Sequence, residues 1–307
     1  MNKIMEDKMA KRKFTINYLY PVLKVETEIK LVDLKNVLIG LKELKPEERI
    51  LPQREGNIQL KKMEYYEGTK RWYLGFLRNG TDAPFKSKLD DNTESAEPLE
   101  DDEFVGQECC VIYDEDSGII ALQNNIRSIS VMGLNQFFRH FMSNAMYLSA
   151  ITYKEKYCDI SDDEFINYKS LVIGFTDISK LQEIAVSEEE KSIKDLAKLA
   201  NDMSAINGKL ELNVGRTKQY LGKFSLKNIV NFFKSNREIT KGLKVKMVDN
   251  DIIRVIDLLN NKVTDNAEIA VTKTDPKTFD KILYSMNSNF DVALEEVFDK
   301  CNSYKNS

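Results

Sequence analysis

The chain has one histidine, His140, in 307 residues, and this scarcity removes several classes of enzyme. Ser-His-Asp and Cys-His triads would all have to use that residue, and metal sites with several histidines are excluded. His140 lies in 133–142, a stretch typical of an amphipathic helix, so we expect a surface or partly packed role for it. Motifs of the forms GxxxxGK[ST], GxGxxG and GxSxG are absent as well.

Cysteines and long apolar runs are also scarce. The four cysteines, at 109, 110, 158 and 301, form no CxxC pair and no disulfide framework, which favours small core residues in a reducing compartment. No apolar run approaches the roughly 20 residues that span a bilayer. Residues 1–13 are polar and lack the apolar region of a signal peptide. We therefore predict a cytoplasmic protein with no catalytic residue, no metal and no cofactor.

Only six prolines and thirteen glycines occur, and 42% of the residues are apolar while 31% are charged. This composition is typical of a folded globular protein. The pattern predicts an α+β fold with mixed or antiparallel β-sheets and flanking helices in two domains. We place a β-rich domain at residues 1–144 and a second α+β domain at 145–307, which contains the basic segment 209–246.

Runs of apolar residues between turn signals predict the strands. Phe14–Tyr20 is one, and 146–153, 168–175 and 209–214 are others. Three hairpins are predicted, from Ile58–Tyr66 with Arg71–Arg78, from Cys109–Tyr113 with Gly118–Gln123, and from Leu243–Val248 with Ile252–Leu259, the last with Ala267–Val271 as its partner strand. The first hairpin carries Tyr65, Tyr66, Trp72 and Tyr73, which would form a hydrophobic core or stack on unpaired bases.

Apolar residues at helical spacing predict helices over 30–44, 134–141, 188–204 and 276–301. A further helix is predicted to begin at Ser225 as its N-cap and to reach Lys234. The apolar positions of the final helix suit a homodimer contact or intramolecular packing, and they are Phe279, Ile282, Leu283, Met286, Phe290, Leu294 and Phe298.

Charge is segregated along the chain. Ten basic residues and two acidic ones lie between Lys209 and Lys246, a balance of +8 in a chain of net charge −4. The segment Asp90–Asp116 carries twelve acidic residues and no basic one. A concentrated positive surface attracts polyanions, and an acidic segment can shield it or bind a basic partner.

Two regions resemble known proteins in the order of their elements. In Leu99–Gly106 an acidic stretch precedes a strand, an acidic glycine turn, a second strand at 119–123 and a helix near Val131. Further on, 244–259 with its Asp-Asn-Asp turn is followed by 266–270 and a long helix. This order resembles the RexA family of phage exclusion proteins, and similar proteins include KwaB of the Kiwa defence system.

The resemblance implies a cytoplasmic, non-enzymatic protein of phage or prophage origin that binds double-stranded DNA with little sequence preference. It also implies a sensor in phage exclusion, paired with a membrane effector, which contacts DNA or phage nucleoprotein. From the charges, we expect the nucleic-acid-binding residues to be Arg216, Lys218, Lys223, Lys227, Lys234, Arg237, Lys241, Lys244 and Lys246.

Two other functions stay open at this point. The acidic segment 90–116 would make the chain a protein-interaction module, either by mimicking nucleic acid or by covering the basic segment until a ligand competes. Carboxylates alone can hold Mg²⁺, so a metal-dependent nuclease is the other alternative. The acidic clusters are, however, more typical of loops than of the strand-borne carboxylates that a nuclease needs.

Overall fold

The computed structural model describes residues 10–26, 28–87, 94–96, 98–142, 145–154, 159–176, 178–184, 191–249, 252–272 and 274–302. It has the α+β fold that the sequence predicts. The chain divides into two compact units. The first contains residues 1–151 and 265–299 with 303–307, and the second contains 152–264 with 300–302. The predicted division at 144/145 differs from this one chiefly because the long C-terminal helix belongs to the first unit.

A nine-stranded sheet forms the first unit, in the order β10-β1-β9-β8-β5-β4-β3, with β2 and β15 also pairing with β1. Its strands are β1 (Ala10–Val25), β2 (Glu28–Leu31), β3 (Ile50–Pro52), β4 (Asn57–Tyr66), β5 (Arg71–Gly80), β8 (Val105–Asp114), β9 (Ile119–Asn124), β10 (Tyr147–Ala150) and β15 (Thr264–Val271). A small separate sheet contains β6 (Phe85–Ser87) and β7 (Glu94–Ala96). The two predicted hairpins of this unit are confirmed as the antiparallel pairs β4–β5 and β8–β9.

Alternation along β5 shows how both faces of this sheet are covered. Trp72, Leu74 and Phe76 point into a core with α1 (Lys35–Glu43) and α2 (Val131–Phe141). On the opposite face, an added Cβ at Gly75 would lie 2.9 Å from the ring of Phe279, so a side chain there would collide with α6 (Phe279–Glu296). Glycine is therefore required at this point of β5 for close approach of the helix.

Two predictions about these elements are wrong, one in where a helix begins and one in the partner of a strand. The helix predicted over 30–44 begins at Lys35, because 28–31 form β2 beside β1. The strand at 264–271 pairs with β1 rather than with the third hairpin. Side chains add to this strand pairing, with Tyr18 Oη donating to Asp265 Oδ2 over 2.7 Å. Sequence patterns give no register between such distant segments.

The second unit is a four-stranded antiparallel sheet in the order β12-β11-β13-β14. Its elements are β11 (Ile166–Thr176), α3 (Ile178–Ile184), α4 (Lys191–Asp202), β12 (Asn207–Asn213), α5 (Lys223–Ser235), β13 (Thr240–Asp249) and β14 (Ile252–Asp257). The hairpin predicted around 249–252 is confirmed as β13–β14. One sheet face is apolar and packs against α5, where the rings of Phe175 and Phe233 lie 6.3 Å apart.

Candidate nucleic-acid interface

All nine predicted nucleic-acid-binding residues lie in the second unit, between the end of β12 and the middle of β13. They divide into three groups. Lys223, Lys227 and Lys234 lie on α5, Arg216 and Lys218 follow β12, and Arg237, Lys241, Lys244 and Lys246 lie on and before β13. The groups differ in exposure and in their partners, which decides how much free positive charge each one offers.

The three lysines of α5 are half-buried and already have partners in the segment 159–163. Lys227 Nζ lies 2.7 Å from Asp162 Oδ2, and Lys234 forms an ion pair with Asp159. Lys223 Nζ donates to the backbone carbonyl of Asp163. The hydrogen bond from Lys227 lowers the pKa of Asp162 below its ordinary value. These lysines therefore present little unneutralised charge while the segment stays in place.

A hydrogen bond from its backbone ties the segment 159–163 to β11. The amide of Ser161 donates to Tyr168 Oη over 2.8 Å, and burial raises the pKa of that tyrosine. Turns follow, in which Asp163 N donates to Ser161 Oγ and Phe165 N donates to Asp163 Oδ1. Sequence reasoning missed this segment, although the run of acidic residues directly before β11 was a visible signal.

Lys244 and Lys246 lie on the sheet face opposite α5, which we call the outer face. Directly opposed residues of antiparallel strands share a face. By that rule and the register, the outer face includes Lys209 and Glu211 of β12, Val172 of β11, Lys244 and Lys246 of β13, and Val255 and Asp257 of β14. Lys209, Glu211, Lys244 and Val255 are exposed, so solvent reaches this face.

The acidic residues of the outer face are occupied by other groups. Asp257 Oδ1 accepts hydrogen bonds from the amides of Leu259 and Asn260, at 3.0 and 3.1 Å. Glu211 forms an exposed ion pair with Lys209 at 3.4 Å. Within the described part of the chain, neither Lys244 nor Lys246 has an ion-pair partner. Their charges are therefore available to a ligand.

The turn after β12 adds basic charge at one end of this sheet. Gly215 has a positive φ of 67°, and its amide donates to Asn213 Oδ1 over 2.7 Å. The exposed Arg216 and Lys218 follow directly. Lys169 of β11 donates to the carbonyl of Thr217 over 3.2 Å, which links the turn to the sheet. Sequence reasoning did not select Lys169, because only the fold brings it to this turn.

Arg237 and Lys241 lie near the other end of β11, because Thr240 pairs with Phe175. Both side chains are exposed, and the described residues offer neither of them an ion-pair partner. The hydroxyl of Thr240 contacts the carbonyl oxygens of Phe233 and Asn236, which fixes the connection between α5 and β13. Within the described ranges, six of the nine predicted residues thus have no ion-pair partner.

The acidic segment 90–116 is only partly described, because 90–93 and 97 lie outside the described residues. In its second half the carboxylates are paired inside the first unit. Arg71 Nε lies 3.0 Å from Asp114, Lys35 Nζ lies 3.0 Å from Glu115, and the remaining pairs are Lys70–Asp116 and Lys277–Glu108. These four acidic residues are paired with basic residues of their own unit, so they leave little charge for a partner.

Three further sets of residues singled out from the sequence lie in the first unit: the histidine, two of the cysteines and the aromatic residues of the first hairpin. His140 is exposed in the last turn of α2, with its ring edge against Phe141. Cys109 and Cys110 are buried free thiols whose pKa is raised by burial. Of the predicted aromatic set, Trp72 is buried in the core beside Tyr65, while Tyr66 and Tyr73 contact each other on the face toward α6.

Among the described residues, no three or more His, Cys, Asp and Glu side chains are grouped to hold a metal ion. No helix in the described ranges combines the length and hydropathy needed to cross a membrane. A comparison with curated proteins finds no match. A model of a family of unknown function, DUF6731, matches residues 9–302, and the chain therefore belongs to that family.

Proposed function

We propose that this chain is a non-enzymatic, cytoplasmic protein that binds double-stranded DNA without reading its sequence. The observation that carries the proposal is the unpaired positive charge on the second unit, at Lys244 and Lys246 of the outer face and at Arg216 and Lys218 of the turn. Lysine and arginine contacts to phosphates supply sequence-independent affinity, and their loss reduces it for every sequence alike.

The sheet arranges these charges for contact with a phosphate chain. Lys244 and Lys246 are two residues apart on one strand, so their side chains leave the same face roughly 7 Å apart. The turn with Arg216 and Lys218 lies at the end of the sheet where Lys246 pairs with Ser170. With Lys241 and Arg237 included, we expect about six phosphate contacts and a salt slope of roughly −5.

The biological setting in this proposal is phage exclusion. It is supported by the resemblance of 99–131 and 244–270 to RexA-like proteins, in which DNA binding serves a sensor that acts with a membrane effector. We infer a homodimer as well, although the predicted apolar stripe of α6 is used inside the first unit, where Ile282, Met286 and Phe290 are buried. A dimer contact would then lie elsewhere, and sedimentation of the whole protein would detect it.

Gel shifts with a 30-base-pair duplex of arbitrary sequence test the proposal. We expect the variant Arg216→Gln/Lys218→Gln/Lys244→Gln/Lys246→Gln to reduce the salt slope by roughly four and to weaken binding equally for unrelated sequences. Single strands and RNA of the same length show whether the duplex form is preferred.

Two matched variants serve as controls. Lys24→Gln/Lys61→Gln removes two exposed charges of the first unit, and Lys227→Gln/Lys234→Gln removes lysines that are already paired. Both are expected to keep the slope of the wild-type protein. A quadruple variant that binds duplex DNA as the wild type does at low salt would refute the proposed interface.

A further inference from the structure

A cleft in the first unit lies beside the edge of the large sheet, between α6 and the strands β4 and β5. Glu64, Tyr66 and Tyr73 form the strand side, and Asp280, Leu283, Tyr284 and Asn287 form the helix side. The register Glu64↔Tyr73 and Tyr66↔Arg71 places the strand residues on the face that α6 covers. Among the described strands, β4 has no partner on its other side at this point, because β3 pairs only with 57–59.

A buried network fixes the floor of the cleft. Arg71, 5% exposed, donates through Nε to Asp114 and through Nη1 to Asn287 Oδ1 and to Asp291. Tyr73 Oη donates to the same Asn287 Oδ1 over 2.6 Å. These bonds hold the ring of Tyr73 and the side chain of Asn287 in one arrangement, so the cleft is preformed.

Three tyrosine rings surround the opening. The rings of Tyr66 and Tyr73 lie edge to face with their centroids 4.7 Å apart. Tyr284 is 79% exposed at the rim and stacks on no other ring of the described residues. An exposed aromatic side chain beside a preformed cleft offers a π-face to a ligand, and π-faces attract cations.

Among the described residues, carboxylates outnumber cations around these rings. Glu64 and Asp280 share one cation, Lys62, whose Nζ lies 3.0 Å from Glu64 Oε1 and also pairs with Asp280. Tyr66 Oη donates to Glu64 Oε2 over 3.1 Å, which orients that carboxylate toward the rings. Behind them, Asp114 and Asp291 share Arg71. Each pair of acids therefore holds a single positive charge.

We propose that this cleft binds an organic cation, an ammonium or guanidinium group, whose charge lies against the rings of Tyr66, Tyr73 and Tyr284 and beside Glu64 and Asp280. The carboxylates supply the counter-charge. The faces of the rings contact the alkyl groups of an ammonium ion or the plane of a guanidinium. Two sources share this chemistry, a free amine of low mass and an arginine or lysine side chain of a protein partner. The site is independent of the basic outer face of the second unit.

Binding to the whole protein, measured by calorimetry and ligand-observed NMR, tests the proposal with matched pairs of ligands. For a free amine the pair is choline and its neutral isostere 3,3-dimethylbutan-1-ol. For a side chain the pair is acetyl-arginine amide and acetyl-citrulline amide. At least one cation is expected to bind while its neutral counterpart does not, and the tighter cation identifies the source. Equal binding within both pairs, or binding of neither cation, would overturn the proposal.

Variants then place the bound cation. Tyr284→Ala and Glu64→Gln are each expected to weaken cation binding by about 2- to 30-fold, the range of a cation–π or partly desolvated charge contact. Lys62→Gln is expected to strengthen it, because this change frees both carboxylates from their internal partner. The controls are Glu43→Gln on the exposed face of α1 and Tyr220→Ala in the second unit. Unchanged binding in Tyr284→Ala and Glu64→Gln, or weaker binding in Lys62→Gln, would contradict the assignment.

Discussion

The two units use their charged residues differently. In the first unit the acidic residues of β8 and its turn pair with basic residues that lie far away in sequence, and Arg71 and Asp114 are buried together. In the second unit ion pairs neutralise one flank of α5 and Lys209, while Lys244, Lys246, Arg216 and Lys218 have no ion-pair partner among the described residues. Charge therefore stabilises the first unit and leaves the second able to contact a polyanion.

The largest expected effect is on the buried pair of the first unit. Arg71→Ala would leave Asp114 buried without its cation, and we expect a loss of about 3 kcal/mol or more in the free energy of unfolding. Urea denaturation followed by circular dichroism measures this loss. The cost arises because an unpaired buried carboxylate is poorly solvated.

The neighbouring residue provides a matched control for this experiment. Lys70 forms an ion pair with Asp116 at 2.9 Å, but both side chains are more than half exposed. Lys70→Ala is therefore expected to change stability little, because water solvates both charges. Equal losses from the two variants would show that burial does not distinguish the charges of the first unit.

An intermediate effect is expected at the ion pair between Asp162 and Lys227, because there the charges of the second unit are paired, as those of the first unit are. Asp162→Asn would release Lys227, and we expect duplex DNA to bind roughly 3- to 10-fold more tightly at low salt, as for one added phosphate contact. Glu164→Gln removes an exposed acidic charge two residues away without freeing a lysine, so it separates release from a general change in charge. Adding Lys227→Gln to Asp162→Asn should cancel the gain, and a gain that persists would contradict this explanation.

The same ion pair has a defined pH dependence. The pKa of Asp162 is lowered from its ordinary value of 3.8 by the hydrogen bond from Lys227. A carboxyl group with a lowered pKa stabilises the folded protein above its ordinary value and loses that contribution as the pH falls through the lower value. The Lys227–Asp162 pair should thus be intact at neutral pH and open only below about pH 4. Lys227 side-chain signals in an NMR titration would follow it.

Local patterns predicted much of the secondary structure, because strand alternation and turn residues act over a few positions. The hairpins 58–78 and 109–123 were predicted within a few residues, and α2 was found from its apolar spacing. The pairing of β15 with β1 joins segments about 250 residues apart, and no local pattern specifies such a contact.

The candidate interface was predictable only in part, because its residues are close in sequence but the acidic partners of some of them are not. All nine predicted residues are in one unit because they are close in sequence. Which of them are unpaired depends on Asp159 and Asp162, more than 60 residues before Lys227 and Lys234. Composition could reveal the excess of positive charge, but only the fold shows where that excess is neutralised.

The smallest expected effects concern helix capping, which again differs between the units. Thr278 Oγ1 accepts the amide of Lys281 at 3.3 Å as the N-cap of α6, so Thr278→Ala should cost about 1 kcal/mol. In the second unit α5 begins at Lys223 with Gly222 as its N-cap, so the prediction of Ser225 as the cap is wrong.

The comparison of these two positions tests that correction directly. Ser225 is in the first turn of α5 and its side chain caps no amide, so Ser225→Ala should change the free energy of unfolding by less than ~0.5 kcal/mol. Hydrogen exchange at the first amides of each helix measures both variants locally, without requiring the two units to unfold together. Faster exchange in α5 after Ser225→Ala, as large as that in α6 after Thr278→Ala, would mean that the serine caps its helix after all. If Ser225→Ala leaves hydrogen exchange in α5 unchanged, the first turn of α5 is stabilised by its N-cap Gly222 and by the contact of Lys223 with Asp163.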